Sequence, residues 1–195
     1  MRPRPALLAL IGLLVLAACD TGDGTTLRPP AEGAQAPLPA TEVTISLPAD
    51  QFAIGSTAFA NQGLIPGRYT VRDGQNVSPP LAWGGPPEGT EELALVVTDV
   101  AESATVHWIL AGLEPTSVGI DEGQVPPGAV QATTEFGSIG WTGPGSDDGT
   151  IHTFVFRLYA LSEPIGLPDA TPAEEMLARI DAVTINTTEF AGLFE

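Results

Sequence analysis

The sequence of 195 residues contains no lysine, and its seven basic residues are all arginines, against 24 aspartates and glutamates. The formal net charge of −17 repels nucleic-acid phosphates and excludes nucleic-acid binding through a broad basic surface. A single cysteine, Cys19, excludes an internal disulfide, a thiol redox pair and a zinc ribbon. Only two histidines are present, His107 and His152. The residues that could carry chemistry are therefore few.

Long apolar runs are equally scarce, and the main one, residues 6–18, follows a start that carries Arg2 and Arg4. A stable transmembrane helix needs about 20 apolar residues, so this short run after a basic start indicates an export signal. The run ends in Leu16-Ala17-Ala18-Cys19, which resembles the lipobox of bacterial lipoproteins. The resemblance implies a signal peptide over 1–18, acylation of Cys19, and an extracytoplasmic protein anchored by lipid to a bacterial membrane. The alternative is an ordinary export signal or membrane anchor in which the cysteine is incidental.

Cleavage after residue 18 would leave five arginines against 24 acidic residues, so the net charge would become −19. Such a charge keeps a domain soluble and repels it from anionic lipids. Residues 19–41 are rich in Gly, Ala, Pro and Thr without an apolar period, which predicts a flexible tether after the lipidated cysteine. The rest of the chain, 42–195, is predicted to form one domain.

Glycine and proline, with 22 and 19 residues, interrupt the domain with turns and leave short segments of β pattern between them. Alternating or continuous apolar residues predict strands at 42–47, 93–99, 106–110 and 152–160. One segment favours a helix, from Pro172 to about Asp181, with Thr171 as N-cap and Glu174 completing a capping box. We therefore expect a mainly β fold, a mostly antiparallel β-sandwich with one or two helices, the main one near the C-terminus.

Three ionisable residues are predicted on strand faces that are otherwise apolar. Because side chains alternate along a strand, Asp99 ends an apolar row, His152 shares its face with Phe154, and His107 shares its face with Ile109. A buried charge is costly unless it is paired, so Asp99 is expected close to one or both histidines. Such a pair could serve a ligand, or it could simply be a hydrogen bond that fixes a loop.

The glycine-rich segment 137–149 comes directly before His152. A loop without Cβ atoms can bring bare N–H groups to a ligand, and successive N–H groups form an anion-binding nest. The alternative is a plain flexible connection. The segment is thus a candidate wall for a site that includes His152.

Together these residues resemble the phosphatidylethanolamine-binding protein (PEBP) family, in its bacterial Raf-kinase-inhibitor-like branch. The similar positions run in order from about Phe59 to Phe194. They comprise Phe59, Ile65-Pro66, Tyr69-Thr70, Asp73-Gly74, Asn76 to Trp83, Pro87 to Thr90, Leu93 to Leu95, Asp99, His107-Trp108, Phe136-Gly137, Gly140 to Pro144, His152 and Phe156 to Leu161.

The resemblance implies a sandwich with a small pocket for an anion, such as a phospholipid headgroup, at one edge. Carried over by position, the ligand would be held by Asp99, His107, Gly143 and His152, with Pro144, Gly145 and Phe154 as the wall. The resemblance implies no cofactor, and no compact metal motif occurs at these positions. It leaves room for a partner protein that the domain regulates.

The sequence departs from the family pattern at two places beside this pocket. Family members usually carry Asp-Pro-Asp-Ala-Pro where this chain has residues 99–103, so a second acid and both prolines are missing. After Gly143-Pro144 the expected prolines are replaced by a segment that includes Asp147 and Asp148. Two carboxylates aimed at the pocket would weaken anion binding. We expect them to point outward as a solvated turn.

Three functions therefore compete. The first is a membrane-tethered module that binds a small anion or phospholipid headgroup. The second is an extracytoplasmic interaction protein that acts like a protease inhibitor. The third is a hydrolase with Asp99 and a histidine as acid–base pair, but no Gly-x-Ser-x-Gly elbow is present and Cys19 would be acylated. We therefore expect a binding protein rather than an enzyme.

Overall fold

A computed structural model describes residues 45, 47–48, 50–101 and 104–195. These residues all fall within the second of two compact units into which the chain divides, Ala40–Glu195. The predicted signal peptide, Cys19 and the predicted tether lie outside the described residues. The predicted strand at 42–47 also lies mostly outside them, and its two described residues, Ile45 and Leu47, belong to no strand.

The described residues form two sheets and one α-helix, as the sequence predicts. The small sheet has the strand order β1-β3-β6, and the large sheet has the order β2-β9-β8-β4-β5-β7. All neighbouring strands pair antiparallel except β2 and β9. In chain order the elements are β1 (Ala53–Gly55), β2 (Gly63–Leu64), β3 (Leu81–Gly84), β4 (Glu92–Asp99), β5 (Thr105–Leu113), β6 (Gly119–Ile120), β7 (Val130–Gln131), β8 (His152–Leu161), α1 (Ala173–Val183) and β9 (Thr184–Phe194).

The apolar core lies between the two sheets. Trp83 of the small sheet packs in one cluster with residues of the large sheet such as Leu95, Trp108 and Phe156. Each of these side chains is almost fully buried, and burying a large apolar side chain contributes about 1.5–3 kcal/mol. Strands β4, β5 and β8 are therefore held in place by the buried core between the sheets.

The helix α1 covers the opposite face of the large sheet. Its buried residues Met176 and Ile180 pack with Val96 and Ile109 in a second apolar cluster. Strand β4 is therefore covered on both faces, which explains why its sequence is a nearly continuous apolar run. No helix in the described part of the chain is both long and apolar enough to span a membrane.

The predicted capping of α1 is wrong. The helix begins at Ala173 with Pro172 as its N-cap, and no side chain makes a capping hydrogen bond. The Thr171 hydroxyl instead donates to the Pro168 carbonyl at 2.8 Å, and the Thr171 carbonyl accepts from the N–H of Thr133. Thr171 thus closes the preceding turn and holds a neighbouring loop, so its side chain is not available as a cap.

Candidate ligand-binding site

A cavity of about 280 Å³ lies at the end of the large sheet where β4 ends and β8 begins. Asp99 is the last residue of β4, Phe154 lies opposite it on β8, and His107 lies near the start of β5. Two loops complete the wall. The lining residues are Val71, Asp99, His107, Phe136, Thr142, Gly143, Gly145, Ser146 and Phe154.

Asp99 and His152 form a buried pair beside this cavity. His152 Nδ1 donates to Asp99 Oδ2 at 2.5 Å, and the two residues are only 1–2% exposed. The other Asp99 oxygen accepts from the N–H of Ala101 at 2.9 Å. This agrees with the expectation from strand parity that Asp99 lies against a histidine. The pair satisfies a carboxylate that would otherwise be buried alone at high cost.

The other ring nitrogen of His152 is also covered by a carboxylate. His152 Nε2 lies 3.1 Å from Asp148 Oδ2, while Asp148 Oδ1 accepts from the N–H and the hydroxyl of Thr150 at 2.8 and 2.7 Å. The expectation that both added aspartates point outward is therefore wrong for Asp148. It holds for Asp147, whose side chain is 92% exposed. An aspartate four residues before a histidine can reach back across this short turn, and the separation alone does not reveal it.

These contacts change the ionisation of the group. The pKa of His152 is raised above its ordinary value chiefly because its ring donates to Asp99, and Asp148 adds to this, while burial acts against it. The pKa of Asp148 is lowered to about 2, mainly by the hydroxyl and N–H of Thr150 and further by His152. Since carboxylates only accept, both ring nitrogens are satisfied at once when His152 is an imidazolium.

His107 reaches the cavity through a β-bulge. Val97 pairs with Trp108 and the next residue, Thr98, pairs with Val106, so His107 is the extra residue of β5. The prediction that His107 shares the face of Ile109 is therefore wrong, because a bulge interrupts the alternation of side chains. Ile109 packs under α1 in the second cluster.

A hydrogen bond to the protein backbone and two aromatic rings help to hold the His107 ring. Its Nδ1 donates to the Thr142 carbonyl at 2.7 Å, since a carbonyl oxygen only accepts. The ring centroids of Phe136 and Phe154 each lie 4.8 Å from the centroid of His107. These contacts fix the orientation of the His107 ring at the cavity wall.

The glycine-rich segment contributes residues to the cavity wall, but the N–H of Gly143 is not available to a ligand. A Cβ on Gly143 would lie 2.0 Å from the Tyr69 carbonyl oxygen, so the glycine is required for backbone packing. Its N–H donates to Asn76 Oδ1 at 2.8 Å. Within the part of the chain that the structure describes, the N–H groups of Gly145 and Ser146 make no hydrogen bond to protein. The predicted nest is therefore reduced to these two groups.

The structure brings most of the predicted site residues together. Pro144 and His152 do not line the cavity: Pro144 is buried, with its carbonyl accepting from Val71, and His152 lies behind Asp99. The sequence analysis missed Val71, Phe136, Thr142 and Ser146, which are lining residues but were not singled out. Phe136 and Thr142 lie in the motifs that resemble the PEBP family, which is the signal that could have identified them.

A second, larger cleft of about 640 Å³ is lined by residues that are neighbours in sequence of the site residues, but it has different chemical groups. Val106 and Glu135 line this cleft, whereas the residues that follow each of them, His107 and Phe136, line the site cavity. The larger cleft contains no histidine and is bounded by the start of α1. No group of three or more His, Cys, Asp or Glu that could hold a metal ion occurs among the described residues.

The described residues define a class of protein: a two-sheet domain with a cavity at one end of the large sheet that is lined by a histidine. The family model described as phosphatidylethanolamine-binding protein matches residues 55–195. This is most of the chain, and the protein therefore belongs to the phosphatidylethanolamine-binding protein family.

Individual relatives agree with this assignment. A UPF0098 protein of Methanothermobacter thermautotrophicus is 35% identical over 144 residues, covering 70% of this chain and 94% of that protein. A Mycobacterium tuberculosis protein named as a candidate lipoprotein, LppC, is 32% identical over 195 residues, covering 96% of this chain and 95% of its own. The solved structure of the PEBP homologue CT736 of Chlamydia trachomatis superposes with a TM-score of 0.68 at 29% identity, covering 75% of this chain and 98% of that one. E. coli YbcL, titled a new member of the mammalian PEBP family, gives a TM-score of 0.69 at 26% identity, with coverage of 74% and 98%.

Proposed function

We propose that the cavity at the end of the large sheet binds a small anion or the headgroup of a phospholipid. The observation that carries the proposal is that His107, Gly145 and Ser146 line one cavity, and that among the described residues no protein group accepts from the N–H groups of Gly145 and Ser146. A protonated imidazole and bare N–H groups are the donors that a phosphate oxygen accepts from. The family description, phosphatidylethanolamine-binding protein, supports the same ligand class.

The contacts of both His152 ring nitrogens favour binding over catalysis. A general base needs a ring nitrogen with a lone pair directed at the substrate, but both nitrogens of His152 contact carboxylates of the protein itself. His152 therefore orients and neutralises Asp99 while His107 meets the ligand. A hydrolase that used Asp99 and His152 as its acid–base pair would require one of these contacts to break.

We further propose that the protein is tethered to a bacterial membrane on its extracytoplasmic side through acylated Cys19. The lipobox-like sequence supports this, and so does the name of the relative LppC, which matches over nearly the whole chain. Replacement of Cys19 by Ser should move the protein from the membrane fraction to the soluble fraction. Retention of the Cys19→Ser protein in the membrane would contradict a lipid tether.

A protein partner is a second candidate, and the mouth of the cavity favours it. Phe136 and Val71 line the cavity and are 49% and 46% exposed, although both are large and apolar. Exposed aromatic side chains beside a pocket are typical of protein contacts. This supports an interaction protein of the protease-inhibitor type, with the partner seated over the cavity.

Histidine NMR separates these functions. The full-length protein in a non-ionic detergent is titrated with inorganic phosphate and, separately, with phosphoethanolamine, while the Cε1–H signals of both histidines are followed. We expect a saturable shift of the His107 signal in the wild type and in the control Asp147→Asn. Calorimetry with the same two ligands should show no binding to His107→Asn, which has no His107 signal to follow. No shift with either ligand at millimolar concentration would overturn the proposal. Release of inorganic phosphate from phosphoethanolamine would instead favour the hydrolase.

A further inference from the structure

Three hydrogen-bond contacts hold the Asp148 side chain, two of them with Thr150 and one with His152. Thr150 donates its N–H and its hydroxyl to Asp148 Oδ1, and His152 Nε2 meets Asp148 Oδ2. The Asp148 side chain is nevertheless 48% exposed, so no burial forces it inward. The turn therefore directs a carboxylate onto an imidazole that already has a carboxylate on its other side.

This arrangement sets the charge behind the cavity. Asp99 and Asp148 contribute two negative charges and a protonated His152 contributes one positive charge, so the group carries a net charge of −1 when all three are ionised. Asp99 lines the cavity, and Asp148 lies two residues beyond Ser146, which also lines it. A ligand in the cavity therefore meets this negative charge, whereas without Asp148 the remaining pair would be neutral.

We infer that Asp148 sets the charge preference of the cavity: it covers His152 and makes the cavity favour singly charged anions, such as phosphodiesters, over doubly charged phosphomonoesters. The inference rests on the proposed function, since it concerns the ligand of the same cavity. Coulomb energy is proportional to the ligand charge, so a dianion loses twice the free energy that a monoanion loses. The discrimination therefore follows from charge and requires no contact between Asp148 and the ligand.

Asp147 supplies a matched control one residue away. It carries the same charge, but its side chain is almost fully exposed and its nearest cation is Arg72, at 3.9 Å. Arg72 also donates to the Ser146 carbonyl at 3.2 Å, which fixes the loop beside the cavity. Solvent and Arg72 screen the charge of Asp147, so its removal should matter little to a ligand.

The test compares two probes of one chemistry but different charge. Near pH 7.5, methyl phosphate is mostly a dianion because the second pKa of a phosphomonoester is about 6, whereas dimethyl phosphate is a monoanion. Their dissociation constants are measured by calorimetry at fixed ionic strength for wild type, Asp148→Asn and Asp147→Asn. The full-length protein is used in a non-ionic detergent. The Cε1–H signal of His152 reports its protonation in each variant.

We expect Asp148→Asn to bind dimethyl phosphate about threefold and methyl phosphate about tenfold more tightly, since the fold-change for a dianion is the square of that for a monoanion. Asp147→Asn should change both by less than about twofold. Equal gains for the two probes in Asp148→Asn, or the same gains in Asp147→Asn, would overturn the inference. Absence of binding to all three proteins would overturn the proposed function itself, which is a different outcome from binding without charge selection.

Discussion

His107 and His152 lie at the same end of the large sheet but have different surroundings. His152 is sealed between the carboxylates of Asp99 and Asp148 and has no share in the cavity wall. His107 donates to a backbone carbonyl, packs between two aromatic rings and lines the cavity. One imidazole thus stabilises the end of the sheet, and the other is placed to meet a ligand. Substitutions at the two histidines and at their partners test this division of roles.

The largest effect is expected from loss of the buried carboxylate. Asp99→Ala leaves His152 with only Asp148 as a partner, and removing one member of a buried ion pair costs about 3–5 kcal/mol. The free energy of unfolding, measured with urea at neutral pH, should fall by that amount. Asp147→Ala removes an exposed aspartate nearby and should change it by less than about 0.5 kcal/mol. Similar losses in the two variants would refute the structural role of the Asp99–His152 pair.

The pairing of Asp99 with His152 was predictable because it depends on the alternation of side chains along regular strands. Strands β4 and β8 are long, paired in register and apolar, so parity places Asp99 and His152 on one face. The same reasoning failed for His107, because a bulge depends on how two strands pair and leaves no mark in one strand's pattern.

Contacts made by the loops were also not predictable from the sequence. The glycines of 137–149 were noticed, but the requirement at Gly143 is set by the Tyr69 carbonyl, which is distant in sequence. The inward turn of Asp148 depends on Thr150 holding one carboxylate oxygen while the other reaches His152. Strand faces could thus be predicted from the sequence, whereas contacts between loops and the direction of a single exposed side chain could not.

Substitutions of the two histidines should have effects of intermediate size on the free energy of unfolding, and these effects should differ from each other. His107→Asn keeps an amide that can donate to the Thr142 carbonyl, so we expect a loss of about 1–2 kcal/mol from the free energy of unfolding. His152→Asn should lower the free energy of unfolding by more, because it leaves the buried Asp99 without its charged partner. Urea unfolding together with phosphate binding measures both quantities. The comparison fails if His152→Asn is the milder change in stability, or if His107→Asn binds phosphate normally.

The dependence of stability on pH should come from His152. Its pKa is raised in the folded state, so its contribution is complete below its ordinary value of 6.5 and is lost as the pH rises through the raised value. The free energy of unfolding should therefore decline in the wild type as the pH rises above 6.5. Urea unfolding across this range should give a flatter profile for His152→Asn, whereas an equal decline in both proteins would assign the effect to another group.

The smallest effect concerns the turn that aims Asp148 at His152. The Thr150 hydroxyl is the largest cause of the lowered Asp148 pKa of about 2, so Thr150→Val should raise that pKa toward the ordinary value of 3.8. The Thr150 N–H still donates to the same oxygen, and the recovery should therefore be incomplete. Carboxyl carbon NMR across the acid range measures this pKa, and Thr150→Ser is the matched control because it keeps a hydroxyl at the same place. A pKa unchanged in Thr150→Val would mean that the Thr150 hydroxyl does not hold Asp148, and that the Thr150 N–H and His152 position it instead.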